Sequence, residues 1–275
     1  MSILDEIAQR TVERIDEAKK RVPLATVRAT AEERAATDKA KDAFMPLPFE
    51  AALRKADFGL ICEVKQASPS KGVIAQDFDP LSIARDYEQA GADAISCLTE
   101  PYWFLGSDDY LAAIAHELTT PVLRKDFTVD EYMVYQAKAL GASAVLLICA
   151  ILDDAQLHAY GALAEELGLS ALVEAHDAYE IDRALACGAR IIGVNNRNLK
   201  DFSIDLDNAN SLRAKVPDEV LFVAESGVTS PADIATMASA GANAALVGEA
   251  LMRSEAKREL IASMRKAALE GRGAR

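Results

Sequence analysis

The hydrophobic pattern divides the chain into an opening helical stretch and a longer rhythm of buried strands. Ile3, Leu4, Ile7, Thr11, Val12 and Ile15 recur at helical spacing, so the first twenty residues predict an amphipathic helix whose stripe must lie on something. Residues 31–43 read as a second helix, broken by Phe-Met-Pro-Leu-Pro-Phe at 44–49, and a short third helix ends near Ala56. From Gly59 onward, apolar strand-like runs at 60–65, 94–98, 122–125, 144–149, 170–174, 190–195, 220–225 and 244–248 alternate with helical patterns, eight of each. Gly-Ala pairs at Gly91-Ala92, Gly141-Ala142, Gly188-Ala189 and Gly241-Ala242 precede every second strand. Each glycine suits the left-handed residue that closes a helix. A repeat of paired βα modules predicts a closed (β/α)8 TIM barrel, in which alternate strands fill alternate interior layers. The alternative is a doubly wound open sheet, which calls for a Gly-rich turn after its first strand; Gln66-Ala67-Ser68-Pro69 is not one. The expected organisation is a single barrel domain over 1–275, with a helical extension at 1–58 and the barrel at 59–272.

Residues 60–72 carry the densest candidate chemistry. In the first strand Ile61, Glu63 and Lys65 share one face and Leu60, Cys62 and Val64 the other, so one side bears two opposite charges. Buried charges are costly unless paired or used; one reading is an internal ion pair and the other a site. The loop Ser68-Pro69-Ser70-Lys71-Gly72 that follows suits an oxyanion such as phosphate.

Barrel chemistry is built at the C-terminal ends of the strands. There stand Glu63 and Lys65 after strand one, Lys125 after three, Glu174 after five, Asn195 with Asn196 and Arg197 after six, and Glu225 after seven. Every odd strand ends in an ionisable side chain. Three carboxylates facing two lysines and an arginine form a coupled group whose pKa values can be pushed apart for acid and base work. An anchor is also present in outline, because phosphate often sits between the loops after strands seven and eight and a short extra helix. Ser226 and Gly227 occupy the first of these loops; Gly248, Glu249, Ala250 and Leu251 occupy the second. The loop after strand two holds Tyr102, Trp103 and Phe104, a cluster that either plugs the packing or receives a planar ring.

Composition narrows the partners. With 43 acidic residues against 30 basic and a net charge of −13, the chain is a poor ligand for nucleic acid or anionic membrane. It shows no apolar run of secretory or membrane-spanning type, which predicts a cytoplasmic protein. Cys62, Cys97, Cys149 and Cys187 form no C-x-x-C pair and read as reduced thiols, three of them within apolar strands. His116, His158 and His176 make no metal-ligand spacing, and no metal is expected.

Taken in order, these motifs resemble the indole-3-glycerol phosphate synthases of tryptophan biosynthesis. The resemblance runs from about Leu4 to Arg253 and rests on Glu63-Val-Lys65-x-x-Ser68-Pro-Ser-Lys-Gly72, Leu98-Thr-Glu with Phe104-x-Gly106-Ser107, Lys125-Asp-Phe127, Leu-Val-Glu174, Asn195-Asn-Arg197-x-Leu199, Glu225-Ser-Gly227 and Val247-Gly-Glu-Ala-Leu-Met252. It implies a barrel whose N-terminal extension covers the catalytic mouth, with no cofactor. The implied reaction closes the indole ring of 1-(2-carboxyphenylamino)-1-deoxyribulose 5-phosphate with loss of carbon dioxide and water. The resemblance assigns ketone protonation to Lys125, carboxylate pairing and dehydration to Lys65, and acid and base work to Glu63 and Glu174 in either order. Asn195 and Arg197 would hold the carboxylate or sugar hydroxyls, Glu225 would fix a lysine, and Phe104 would pack on the ring. Phosphate binding would fall to Ser68, Ser226, Gly227, Gly248 and the turn at Glu249. Gln66 replaces a residue that is often basic in the family, and Asn198 one that is often Asp. The expected partner is the small sugar phosphate; a monomer is expected, with association with other tryptophan-pathway enzymes open. Two other readings keep the barrel: a sugar-phosphate isomerase of the phosphoribosylanthranilate type, which needs only one acid and one base, and a catalytically silent phosphate-binding barrel.

Overall fold

The computed structural model describes residues 2–41, 46–197, 203–205 and 207–273. Eight parallel strands close a barrel: β1 (Gly59–Val64), β2 (Ala94–Leu98), β3 (Val122–Lys125), β4 (Ala144–Ile148), β5 (Ser170–Ala175), β6 (Ile191–Asn195), β7 (Leu221–Glu225) and β8 (Ala244–Val247). Each pairs with its neighbours in sequence, and β8 returns to β1 with Gly59 opposite Ala244. The expected barrel is therefore present, with strand limits within one residue of the apolar runs. The four Gly-Ala glycines all adopt left-handed φ, between 83° and 101°, just before β2, β4, β6 and β8.

The period-2 alternation sorts the strands' side chains into two layers. Leu60, Cys62 and Val64 join the layer shared with Ala84 and Tyr87 of α4 (Pro80–Gln89). Ile61, Leu123, Leu172, Ile191, Val223 and Leu246 fill the interior. Past the last apolar interior residues, the same inward positions carry Glu63, Glu174 and Glu225, all buried. The phosphate-type loop after β1 is not plain loop: Ala67–Ser68 and Gly72–Val73 pair as a small antiparallel hairpin, closed onto the carbonyl of Gln66 by the Ile74 N–H at 2.8 Å.

The extension departs from expectation in two ways. Its first helix, α1 (Ile3–Arg21), is capped by reciprocal hydrogen bonds between Ser2 and Asp5 and buries Leu4, Ile7, Thr11 and Ile15, whereas Val12, one residue past Thr11, turns off the stripe and is exposed. The second, α2 (Leu24–Lys39), begins seven residues before the predicted start at 31. Pro23 precedes its first turn, and its packing stripe of Val27, Ala31 and Ala35 is too small-sided to register as an apolar period. It lies on α6 (Glu131–Leu140), tied by Lys138 to Asp38 at 2.8 Å.

The third helix, α3 (Pro48–Lys55), does not join α1 at the mouth. It closes the opposite end of the barrel: Phe49 and Leu53 are fully buried against the interior residues, and the Glu50 N–H donates to Ser170 Oγ at the start of β5. Glu50 also takes hydrogen bonds from Arg54 and from Arg190, which stands just before β6. The expectation that the extension covers the catalytic mouth is thus narrowed: among its described residues, those that line the mouth belong to α1.

Candidate active site

At the C-terminal end of the strands a cavity of about 520 Å³ opens among the first, second, seventh and eighth loops, with Ile3, Leu4 and Ile7 of α1 forming part of its apolar wall. All thirteen residues expected at the site border it: Glu63, Lys65, Ser68, Phe104, Lys125, Glu174, Asn195, Arg197, Glu225, Ser226, Gly227, Gly248 and Glu249.

Lys125 is the centre of the charge arrangement. As the last residue of β3 it projects over the barrel axis, its Nζ 3.4 Å from Glu174 Oε2 and 3.7 Å from Glu225 Oε2. Burial works against its charge, but Glu174, Glu225 and Glu63 outweigh it and hold the ammonium protonated beyond the ordinary lysine range. Burial favours the protonated form of both neighbouring carboxyls, and it is outweighed only at Glu174. Lys125 first and then His176 hold Glu174 below the usual carboxylate range, with Asn195 Nδ2 donating to its Oε1 at 3.3 Å. Burial and the charge of Glu174 push Glu225 up to about 8. Two carboxyls of very different proton affinity therefore flank one ammonium. Across the cavity, Lys65 Nζ sits 2.5 Å from Glu63 Oε1, so this pair is both an internal ion pair and part of the site.

Two glycines make room for these charges. A Cβ on Gly193 of β6 would collide with the Glu225 carboxylate, and one on Gly248 would collide with the Glu63 carboxylate and lie 2.9 Å from Lys65 Nζ. Gly248, expected to admit phosphate oxygens, is thus required by the Glu63–Lys65 pair as well. After β7 the chain turns through two successive left-handed residues, Ser226 (φ 66°) and Gly227 (φ 85°). A serine there is strained, a feature that concentrates at ligand-binding turns. Gly248 leads into α11 (Glu249–Arg253), the expected short extra helix. The Glu249 side chain accepts from Arg253 and lies 3.9 Å from Lys71, joining the eighth loop to the first.

Of the aromatic loop only Phe104 reaches the cavity, its ring 6.0 Å from that of Phe127. The cluster divides, Tyr102 stacking under Arg10 on the outside while Phe104 lines the cavity. The buried Glu100 shapes the loop by accepting from the backbone N–H groups of Tyr102, Trp103 and Phe104 at 2.7 to 3.0 Å.

The sequence matches the family model for indole-3-glycerol phosphate synthase over residues 4–264. The chain belongs to the indole-3-glycerol phosphate synthase family. It is 47% identical to the indole-3-glycerol phosphate synthase of Lachnoclostridium phytofermentans over 96% of this chain and 98% of that relative. It is 55% identical to that of Lacticaseibacillus paracasei over 80% and 85%. Two solved structures share the fold alone. Tryptophan synthase subunit alpha from Legionella pneumophila aligns with a TM-score of 0.60 at 14% identity, covering 81% of this chain and 98% of that one. Thiamine phosphate pyrophosphorylase from Pyrococcus furiosus aligns with a TM-score of 0.61 at 16% identity, covering 79% and 98%.

Within this indole-3-glycerol phosphate synthase family member, several residues of the site carry no signal in the sequence pattern. Arg14 of α1 donates to Asp126 Oδ1 at 2.8 Å, while Thr99 donates to the other oxygen of the same fully buried carboxylate at 2.6 Å. Arg14 and then Arg124 hold Asp126 below the usual range despite its burial. This cluster fastens α1 to the chain between Lys125 and Phe127, and partners 112 residues apart leave no spacing to read. His176 meets Glu174 and Glu180. Among the described residues no group of three or more His, Cys, Asp or Glu is placed to hold a metal ion. Cys62, Cys97 and Cys149 are buried free thiols, and Cys187 is a free, half-buried one. The Gln66 departure starts the hairpin, while Asn198 and Leu199 lie outside the described residues.

Proposed function

We propose that the cavity closes the pyrrole ring of 1-(2-carboxyphenylamino)-1-deoxyribulose 5-phosphate to give indole-3-glycerol phosphate, carbon dioxide and water. The observation that carries the proposal is the placement of Lys125, held charged between Glu174 and Glu225 and facing the Glu63–Lys65 pair across one cavity. In the first step the ring carbon bearing the carboxylate attacks the ketone, and Lys125 gives its proton to the ketone oxygen. Carbon dioxide then leaves, its bonding pair restoring the aromatic ring. In the second, a base takes a proton from the methylene carbon beside nitrogen while an acid protonates the departing hydroxyl. Glu174, ionised, suits the base; Lys65, held by Glu63, suits the acid. Phe104 and Phe127 offer the ring an apolar wall, and Asn195 and Arg197 offer hydrogen bonds to the carboxylate or sugar.

The sequence of losses is redox-neutral, so no electron carrier enters the scheme. Ser68, Ser226, Gly227, Gly248 and the turn at Glu249 form the phosphate cradle in this reading. In this reading a monomer acts on a small sugar phosphate. Among the described residues no helix is long and apolar enough to cross a membrane, and the acidic net charge suits a cytoplasmic enzyme. A crystal structure with bound product tests the placement: phosphate is expected on the first, seventh and eighth loops with the indole ring beside Phe104. A phosphate on the α3 end of the barrel would refute it.

Deletion of residues 1–45 removes α1 and α2 but leaves α3 in its plug. The apolar wall of Ile3, Leu4 and Ile7 is lost and Asp126 loses Arg14. The Michaelis constant is expected to rise roughly tenfold for each ~1.4 kcal/mol of binding lost, with a lowered melting temperature. Steady-state kinetics giving an unchanged Michaelis constant would contradict a role for α1 in closing the mouth.

A further inference from the structure

We propose that His176 is a positioning residue that keeps Glu174 ionised and in register with Lys125, with Glu180 fixing the imidazole from behind. The inference rests on the ring-closure reading and extends it to two residues outside every motif. His176 follows β5 directly and, two positions beyond Glu174, falls on the same side of the strand. The residue is held at three points, one on the ring and two on the backbone. Nδ1 lies 3.1 Å from Glu180 Oε2, the same oxygen accepts the His176 backbone N–H at 2.7 Å, and Asn208 Nδ2 donates to the His176 carbonyl at 3.2 Å. That leaves Nε2, buried and without a hydrogen-bond partner, 3.5 Å from Glu174 Oε1.

With the Nδ1–H donated to Glu180, a neutral ring would set the Nε2 lone pair against a buried carboxylate. The protonated ring instead presents an N–H to a carboxylate on each side, the favourable arrangement where water is scarce. The charged groups facing it are Glu174 on β5, Glu180 on α8 (Ala178–Ala186), Glu225 on β7 and, beyond Glu174, Lys125 on β3. Burial lowers the imidazole's affinity for its proton, but the bond to Glu180 and the charge of Glu174 outweigh it and raise it. Glu174 is thus bracketed by two cations, Lys125 at one oxygen and His176 at the other, while the neighbouring Glu225 is not. Removing the imidazolium takes away one of these cations, so Glu174 should bind its proton more tightly and the base form should be lost at higher pH.

The first arm of the test is an NMR titration of the His176 ring in the substrate-free protein, assigned by the signal missing in His176→Gln. The ring is expected to titrate above the ~6.5 of an unperturbed histidine. Glu174→Gln should lower that midpoint by about one unit or more. The second arm is the pH profile of the turnover number, where His176→Gln should move the acid limb upward by about one unit and Glu180→Gln should move it the same way. A His176 midpoint at or below the unperturbed value and indifferent to Glu174→Gln would overturn the proposal, as would an acid limb unmoved in His176→Gln. The titration needs no turnover. A Glu174-dependent midpoint in a protein that forms no indole would therefore support the coupling and reject the ring-closure reading separately.

Discussion

Lys125→Met is expected to lower the turnover number by roughly 10²- to 10⁴-fold, the range typical of a positioned general acid, while binding of a product-like phosphate weakens far less. Methionine keeps much of the stem's bulk but removes both the proton and the charge. It also leaves Glu174 and Glu225 facing each other without their shared cation, so the variant's pH profile should change along with its rate. A contact that acted equally in ground and transition states would mainly raise the Michaelis constant. The split between turnover number and ligand affinity therefore assigns the role. A turnover number within a few-fold of the parent would remove Lys125 from the chemistry and leave it as a structural counterion of two glutamates.

Phe49→Ala is expected to cost about 3–5 kcal/mol of stability, the usual range for truncating a buried aromatic side chain. Its ring is wholly buried beneath the interior layer, at the end of the barrel farthest from Lys125, and nothing in α3 can swing into the space it leaves without breaking the Glu50 contacts to Ser170 and Arg190. At about 2–4 °C per kcal/mol for a chain of this size, the melting temperature should fall by on the order of ten degrees. Activity measured well below the transition should stay near the parent's, because Phe49 itself does not line the cavity. Calorimetry paired with low-temperature kinetics checks both halves: a loss of less than about 1 kcal/mol, or inactivity in a folded variant, would contradict α3 as a purely structural plug.

These two residues also mark how far the sequence could be read. Lys125 was legible because it ends an apolar run in a chain whose repeat already required a barrel, and the C-terminal ends of barrel strands are where chemistry stands. Glu63 and Lys65 were legible for the same reason, their shared face following from strand alternation alone. Phe49 was legible only as part of a break between helices. Which end of the barrel α3 closes depends on contacts with Ser170, Arg190 and Glu219, more than a hundred residues away, and local pattern carries no such information. The start of α2 was missed because alanines pack a helix closely without raising its apolar signal. Gly193 was invisible on different grounds. It reads as one small residue in an apolar strand, and the need for it comes from the Glu225 carboxylate on the neighbouring strand. Arg14 and His176 likewise take their meaning from partners the fold supplies, Asp126 for one and Glu174 with Glu180 for the other.

The central claim is that this one cavity performs ring closure with decarboxylation, and the most direct measurement follows both products at once. Purified protein is incubated with 1-(2-carboxyphenylamino)-1-deoxyribulose 5-phosphate without added cofactor, while indole fluorescence and released carbon dioxide are recorded together. Equimolar indole product and carbon dioxide, both lost together in Lys125→Met, are the predicted result. Recovery of the substrate unchanged, or of a rearranged sugar phosphate that keeps its carboxyl group, would contradict it.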